Sequence, residues 1–213
     1  MSISLQTLAC GPMDNRTYLL TDQPGGETIV VDPGFDCEAI LRAMKGKSPV
    51  GLLLTHAHFD HMDLIDKLRT LWGVPLWVSC EDSGALCDST RNGNALFTGR
   101  DVTYAPAERT FSQGDKIPLG ASFLTVYHTP GHTPGSCCFA APGANENWLL
   151  TGDTLFRGSV GRTDLPGGSM TQMMESVNRL RVLGQAHPDW IVCPGHGAQS
   201  TLAQELAANP YFQ

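Results

Sequence analysis

The stretch LLLTHAHFDH at residues 52–61 runs an apolar strand directly into three histidines and an aspartate. Only 16% of the chain is charged, so this run restricts the fold. The leucines need a core, and the strand must end at an edge where His56, His58, Asp60 and His61 have a use. Gathering imidazoles and a carboxylate is costly unless a metal shares them. His56 and His58, two apart in extended chain, can point to one side. Asp60 and His61 fall at the start of a helix expected over 61–72 and can face a neighbouring position.

Three further stretches repeat the pattern of an apolar strand ending in a ligand-type residue. FLTVYHTPGHTPGS places His132 in a Gly/Pro turn, NWLLTGDTLF places Asp153 directly after its strand, and DWIVCPGHGAQS places His196 between glycines. Strand-end loops of an α/β sheet gather on one edge, where ligands bind. Taken alone, each of these histidines reads as a surface or satisfied core residue. Together, five imidazoles and two carboxylates exceed one tetrahedral zinc and suit two metals that share a bridging oxygen. Of the two remaining histidines, His187 in GQAHPDW reads as a solvated loop residue. His128 reads as the end of its strand, with a supporting place behind the centre as the alternative.

Short β-rich runs alternate with helical patterns over 36–46, 61–72, 170–183 and 200–208, the last stopped by Asn209-Pro210. No linker or charge block interrupts them, so residues 1–213 are expected to form one α/β domain. Residues 81–101 have the weakest periodicity and many small polar side chains, which predicts a mobile lid. With 14 basic and 21 acidic residues the net charge is −7, which argues against a nucleic-acid partner and hence against a nuclease. No stretch approaches the roughly 20 apolar residues of a membrane span. TLACG at 7–11 lacks the basic and apolar regions of a lipoprotein leader and reads as part of a first strand. The seven cysteines have no framework spacing, so free, mostly buried thiols in a reducing cytoplasm are expected.

Four motifs, THAHFDH at 55–61, PGHTPGS at 130–136, TGDTLF at 151–156 and PGHG at 194–197, resemble the metallo-β-lactamase superfamily in order and spacing. NRTYLL near the start and VDPG at 31–34 are lesser matches, and the resemblance covers nearly the whole chain. It implies a four-layer αβ/βα sandwich with metals at one edge of two β-sheets. One metal site would hold His56, His58 and His132, the other Asp60, His61 and His196. Asp153 would bridge them, and Asp60 and Asp153 would be the catalytic carboxylates. Two divalent ions are implied, zinc first, with iron or manganese as alternatives.

β-Lactamases of this superfamily generally lack the bridging aspartate. The chain is therefore more similar to glyoxalase II and related thioesterases. LFRGSVGRTDLPGG and STLAQELAANPYF look like the short bacterial glyoxalase II-like (hydroxyacylglutathione hydrolase-like) proteins. The implied activity is hydrolysis of a small acyl-thioester, of the S-lactoylglutathione type, by a metal-bridging hydroxide. A mononuclear Fe(II) persulfide dioxygenase of the same superfamily, with iron on His56, His132 and Asp153, is the alternative.

Two departures from the pattern stand out. Full-length glyoxalase II carries a C-terminal helical domain that holds glutathione, and this chain stops short of one, which weakens the expectation of a glutathione arm. HMDL at 61–64 replaces the H-x-G-G of many members, placing Asp63 in a first helical turn. Arg157 and Arg162 are candidates for binding a substrate carboxylate, with an Arg162–Asp164 loop brace as the competing reading.

Overall fold

The computed structural model describes residues 2–23 and 26–213. Twelve of its strands form two six-stranded sheets. The first contains β1 (Ser2–Cys10), β2 (Asn15–Gln23), β3 (Glu27–Val31), β4 (Ser48–Leu53), β5 (Leu76–Ser79) and β6 (Arg109–Phe111), in chain order. Strands β1 to β3 are antiparallel, and β3 to β6 run parallel. The second is built from β7 (Lys116–Leu119), β8 (Ser122–His128), β9 (Cys137–Pro142) and β10 (Asn147–Gly152), with a small ribbon of β11 (Leu155–Phe156) and β12 (Ser159–Val160) set apart. Strand β13 (Ile191–Pro194) joins β10 in parallel, and β14 (Ser200–Thr201) closes that edge.

The period of two along each strand explains the layers. Ile29, Val31 and Leu53 point inward to meet Phe139 and Leu150 of the other sheet, while Val30, Leu52 and Leu54 point outward. That outer face is covered by α1 (Cys37–Ala43) and α3 (Ile65–Trp72) through Ile40, Ile65 and Leu68. The second sheet turns Cys138 and Leu149 outward onto α5 (Met170–Ala186) and α6 (Leu202–Ala208). The result is a helix–sheet–sheet–helix sandwich. Strands buried on both faces read as continuous apolar runs, which is why 52–54 is all leucine. Cutting Leu53 to Ala would cost roughly 2–5 kcal/mol.

The expected helix over 61–72 is two helices. A single turn, α2 (Phe59–Met62), precedes α3, and the chain breaks at Leu64, whose N–H donates to Pro33 O at 3.1 Å rather than along the helix. Asp63 therefore sits between the helices, where it accepts from Tyr104 Oη at 3.1 Å. The stretch 81–101 is also more ordered than its periodicity suggests. It holds a 3₁₀ turn at Ser83–Cys87 and the short helix α4 (Asn94–Thr98), pinned by buried Asn92 and Asn94. All seven cysteines are free, with Cys80 and Cys87 exposed and Cys10, Cys137, Cys138 and Cys193 buried. Among the described residues no helix is long and apolar enough to cross a membrane.

Candidate metal centre

The two sheets meet at one edge through hydrogen bonds between their strand ends. Cys137 N donates to Thr55 O at 2.9 Å, Arg16 N to Gly195 O at 2.8 Å, and Tyr18 Oη to Pro194 O at 2.7 Å. This edge brings together all seven residues singled out as ligands. His56, His58 and His132 form one group and Asp60, His61 and His196 another, each with donor atoms within 4.8 Å of one another. Asp153 lies between the groups. Its Oδ1 is 3.4 Å from His61 Nε2, and its Oδ2 is 3.5 Å from His132 Nε2 and 3.4 Å from His196 Nε2. Across the gaps His58 Nδ1 faces His132 Nε2 at 2.9 Å, and His61 Nε2 faces His196 Nε2 at 3.2 Å.

Four of the five imidazoles are aimed by a hydrogen bond at the far ring nitrogen. His61 Nδ1 donates to Asp32 Oδ2 at 3.0 Å, His132 Nδ1 to Arg162 O at 2.7 Å, and His196 Nδ1 to Met13 O at 2.9 Å. His56 Nδ1 donates to Thr55 Oγ1 at 3.0 Å, and that hydroxyl donates onward to Asp32 Oδ2 at 2.7 Å. Such outer partners fix ring orientation and leave the inward nitrogen free to bind a cation. Asn15 holds Asp60, its Nδ2 donating to Asp60 Oδ2 at 3.0 Å. Gly195 is required by close approach, since a Cβ there would collide with Asp153 Oδ1 and the His61 ring.

The donor set fits a metal. Five buried side-chain polar atoms among the described residues have no hydrogen-bond partner, and three belong to this cluster: His56 Nε2 and Asp153 Oδ1, and His58 Nε2 on the opposite edge of the ring from the Nδ1 that faces His132. Leaving such groups unpaired costs about 1–3 kcal/mol each, so their concentration here marks a place for a cation. The charges agree. Burial, helped by the His61 imidazole, pushes His56 well below the usual histidine range, and burial with the neighbouring His132 takes His58 down to about 3. Burial opposes charge on His61 and His196 too, but there Asp60 and Asp153 win, raising His61 well above its usual range and His196 to about 10. In turn His61 and His196, working against burial, hold Asp60 below the ordinary carboxylate range and Asp153 well below it. The carboxylates thus draw positive charge to the position that divalent ions would fill.

A cavity of about 160 Å³ opens over these residues, walled by Met13, Phe59, Phe97, Arg162 and Leu165. Arg162 reaches its mouth, with Nε and Nη2 donating to the two carboxylate oxygens of Asp164 at 2.7 Å each. Arg157 is exposed and lies outside this lining. His128 ends β8 and its Nε2 donates to Pro134 O at 2.8 Å, bracing the turn that carries His132. His187 stacks on Trp190 at 4.4 Å and takes no part in the centre.

Several contributors escaped sequence reasoning. Asn15 and Asp32 lie in NRTYLL and VDPG, motifs noticed without a role for these side chains. Asp32 has φ of 52°, an uncommon conformation for an L-residue, over-determined here by its bonds to Thr55 and His61. Asp82 was not noticed at all, although it follows the end of β5 and so obeys the strand-end rule that found the ligands.

Comparison with known proteins places the geometry in context. The family model of the metallo-beta-lactamase superfamily matches residues 10–196. The hydroxyacylglutathione hydrolase GloC of Haemophilus influenzae is 32% identical over 186 residues, 86% of each chain. The crystal structure of the B3 metallo-beta-lactamase BLEG-1 superposes with a TM-score of 0.87 at 34% identity, over 99% of this chain and 100% of that one. A crystal structure of TTHA1623 in a di-iron-bound form gives a TM-score of 0.82 at 32% identity, over 97% of this chain and 99% of that one.

Proposed function

The chain belongs to the metallo-beta-lactamase superfamily, and from that premise we propose that it is a dinuclear metal-dependent hydrolase of small acyl-thioesters, like glyoxalase II. The observation that carries this reading is Asp153, whose carboxylate approaches both ligand groups, its Oδ2 lying 3.5 Å from His132 Nε2 and 3.4 Å from His196 Nε2 and its Oδ1 3.4 Å from His61 Nε2. A carboxylate so placed suits a paired centre. It also separates this site from the lactamase pattern, which generally lacks it. The likeness to GloC supports the thioester as substrate.

Divalent metals held by these donors would lower the pKa of a water towards about 7 and polarise a carbonyl oxygen. The chain's own residues then have distinct tasks. Asp153 fixes the spacing of the two ligand groups. Asp60 lines the cavity; Asn15 Nδ2 and the His196 and His61 imidazoles engage its Oδ2, so Oδ1 is the oxygen left to accept a proton from the attacking water. Met13, Phe59 and Leu165 exclude bulk water from the reacting carbonyl. As the new C–O bond forms the C–S bond breaks, and sulfur departs with the electron pair. A thiolate of ordinary pKa, about 8.5, leaves without prior protonation, so no general acid is needed on its side. An amide would need one, and no further acid lines the cavity.

The test runs without oxygen. Zinc-loaded protein should contain close to two metals per chain and should cleave S-lactoylglutathione or simpler acyl-thioesters anaerobically. Oxygen consumption with glutathione persulfide, together with inert thioesters, would transfer the assignment to the iron dioxygenase.

A further inference from the structure

We propose that Asp82 is a positioning residue for one of the two metal sites, the tether that holds His58 and His132 in register. The inference rests on the metal-centre reading above and deepens it. Asp82 is 1% exposed and lies just beyond the end of β5, touching neither cavity nor ligand atom directly. Its Oδ2 accepts from Ala57 N at 3.0 Å and from Thr133 Oγ1 at 2.7 Å, while Oδ1 accepts from Gly135 N at 2.8 Å. Ala57 separates His56 from His58, and Thr133 follows His132. One carboxylate therefore ties the ligand loop of the first sheet to that of the second. Gly135 lets the turn close on it, since a Cβ there would collide with Asp82 and with Ser79 Oγ. Ser79 Oγ in turn accepts from Asp82 N at 3.2 Å.

The donor arithmetic makes the carboxylate specific. Three donors converge on two oxygens, and all three need an acceptor. An amide accepts at only one atom and would aim its NH₂ at another donor. Asp82→Asn keeps the volume and still breaks the tether.

The same arithmetic confines the effect to one site. His56, His58 and His132 ride on the loops that Asp82 joins. Asp60, His61 and His196 are held elsewhere, by Asn15, Asp32 and Met13 O. A tether predicts a lopsided loss, whereas a merely structural aspartate predicts a uniform one.

The experiment measures metal affinity by chelator competition, with cobalt(II) absorption as a reporter of each site's geometry. Wild type, Asp82→Asn, His196→Ala and the double variant are compared, with circular dichroism to establish folding. Asp82→Asn should weaken one bound metal at least about tenfold and leave the other within about twofold. His196→Ala should retain one metal, and the double variant should hold that metal at least about tenfold more weakly. Should Asp82→Asn fold poorly, Thr133→Val removes a single donor and should weaken the same metal by a smaller factor. Equal weakening of both metals, or none in a folded variant, overturns the tether while the metal centre stands. A wild type that binds no metal overturns both.

Discussion

The buried centre and the rim of its mouth are built by different kinds of contact. In the centre, four of five imidazoles are aimed by hydrogen bonds of 2.7–3.0 Å to Asp32, Thr55, Arg162 O and Met13 O. At the rim, Met13 is 44% and Phe97 50% exposed. Phe97 is held by a tilted contact with Phe59 at 5.8 Å and by Arg162 lying 5.9 Å over its ring. Hydrogen bonds are directional and fix a geometry to tenths of an ångström. Apolar contacts are not, and tolerate a change of partner. The centre therefore carries the reaction, where small misplacements are expensive. The rim is free to decide which arm of a substrate is covered.

The strongest way to break this division is to change charge at the centre while keeping shape. Asp153→Asn removes the negative charge shared by the two ligand groups and leaves the rim untouched. Its kcat should fall at least about a hundredfold, a loss of roughly 2.7 kcal/mol of transition-state stabilisation, with a smaller change in KM. Steady-state kinetics on a thioester checks this. A fall in KM affinity with kcat preserved would place Asp153 among the binding groups and erase the distinction between centre and rim.

The same division explains what was legible in the sequence. Ligand-type residues at strand ends are conspicuous because the apolar run and the His/Asp cluster each break local expectation. The four motifs accordingly located all seven side chains that the fold assembles. Outer hydrogen-bond partners leave no such trace. Asp82 stands in CEDSG, a stretch that looks like any exposed turn, and only the contact with Thr133 and Gly135 from the other sheet gives it a purpose. The helix break at Leu64 was hidden for a similar reason, since its cause is the distant Pro33 carbonyl. Arg162 shows the converse. The sequence offered it a carboxylate-binding role or a brace with Asp164, and its fork is matched to Asp164 two residues away. Local pattern reveals what a residue offers, and its pairing, near for Arg162 and distant for Asp82, decides whether the offer is already taken.

A smaller effect should sharpen the comparison from the rim side. Phe97→Ala removes half-exposed apolar surface next to the cavity and leaves the seven ligand-type side chains unchanged. With an S-benzyl thioester KM should rise about three- to tenfold, roughly 0.65–1.4 kcal/mol, less than the roughly 1.5–3 kcal/mol of a fully covered aromatic side chain because Phe97 is half exposed. The value of kcat should stay within about twofold. A hundredfold loss of kcat would mean that Phe97 shapes the reacting geometry, and the rim would then belong to the centre.

The smallest effect concerns motion, and it divides the segment 81–101 itself. Asn92 Nδ2 donates to Val102 O at 3.1 Å, Asn94 Nδ2 to Tyr104 Oη at 3.2 Å, and Tyr104 Oη to Asp63 Oδ1 at 3.1 Å. This chain of bonds ends at Asp63, between α2, which carries Asp60 and His61, and α3. Residues 95–100, by contrast, are all exposed. The expected lid is therefore confined to the tip carrying Phe97, while its base is anchored to the scaffold of the centre. Amide hydrogen exchange should be fast through 95–100 and slow at 92–94, because local opening is cheapest where few apolar contacts and many exposed hydrogen bonds occur. A bound thioether analogue of the substrate should slow only the tip, by covering Phe97. If 92–94 exchange as fast as the tip, the anchors do not hold, and if the tip is protected without ligand, nothing at the rim moves and Phe97 acts as a fixed wall.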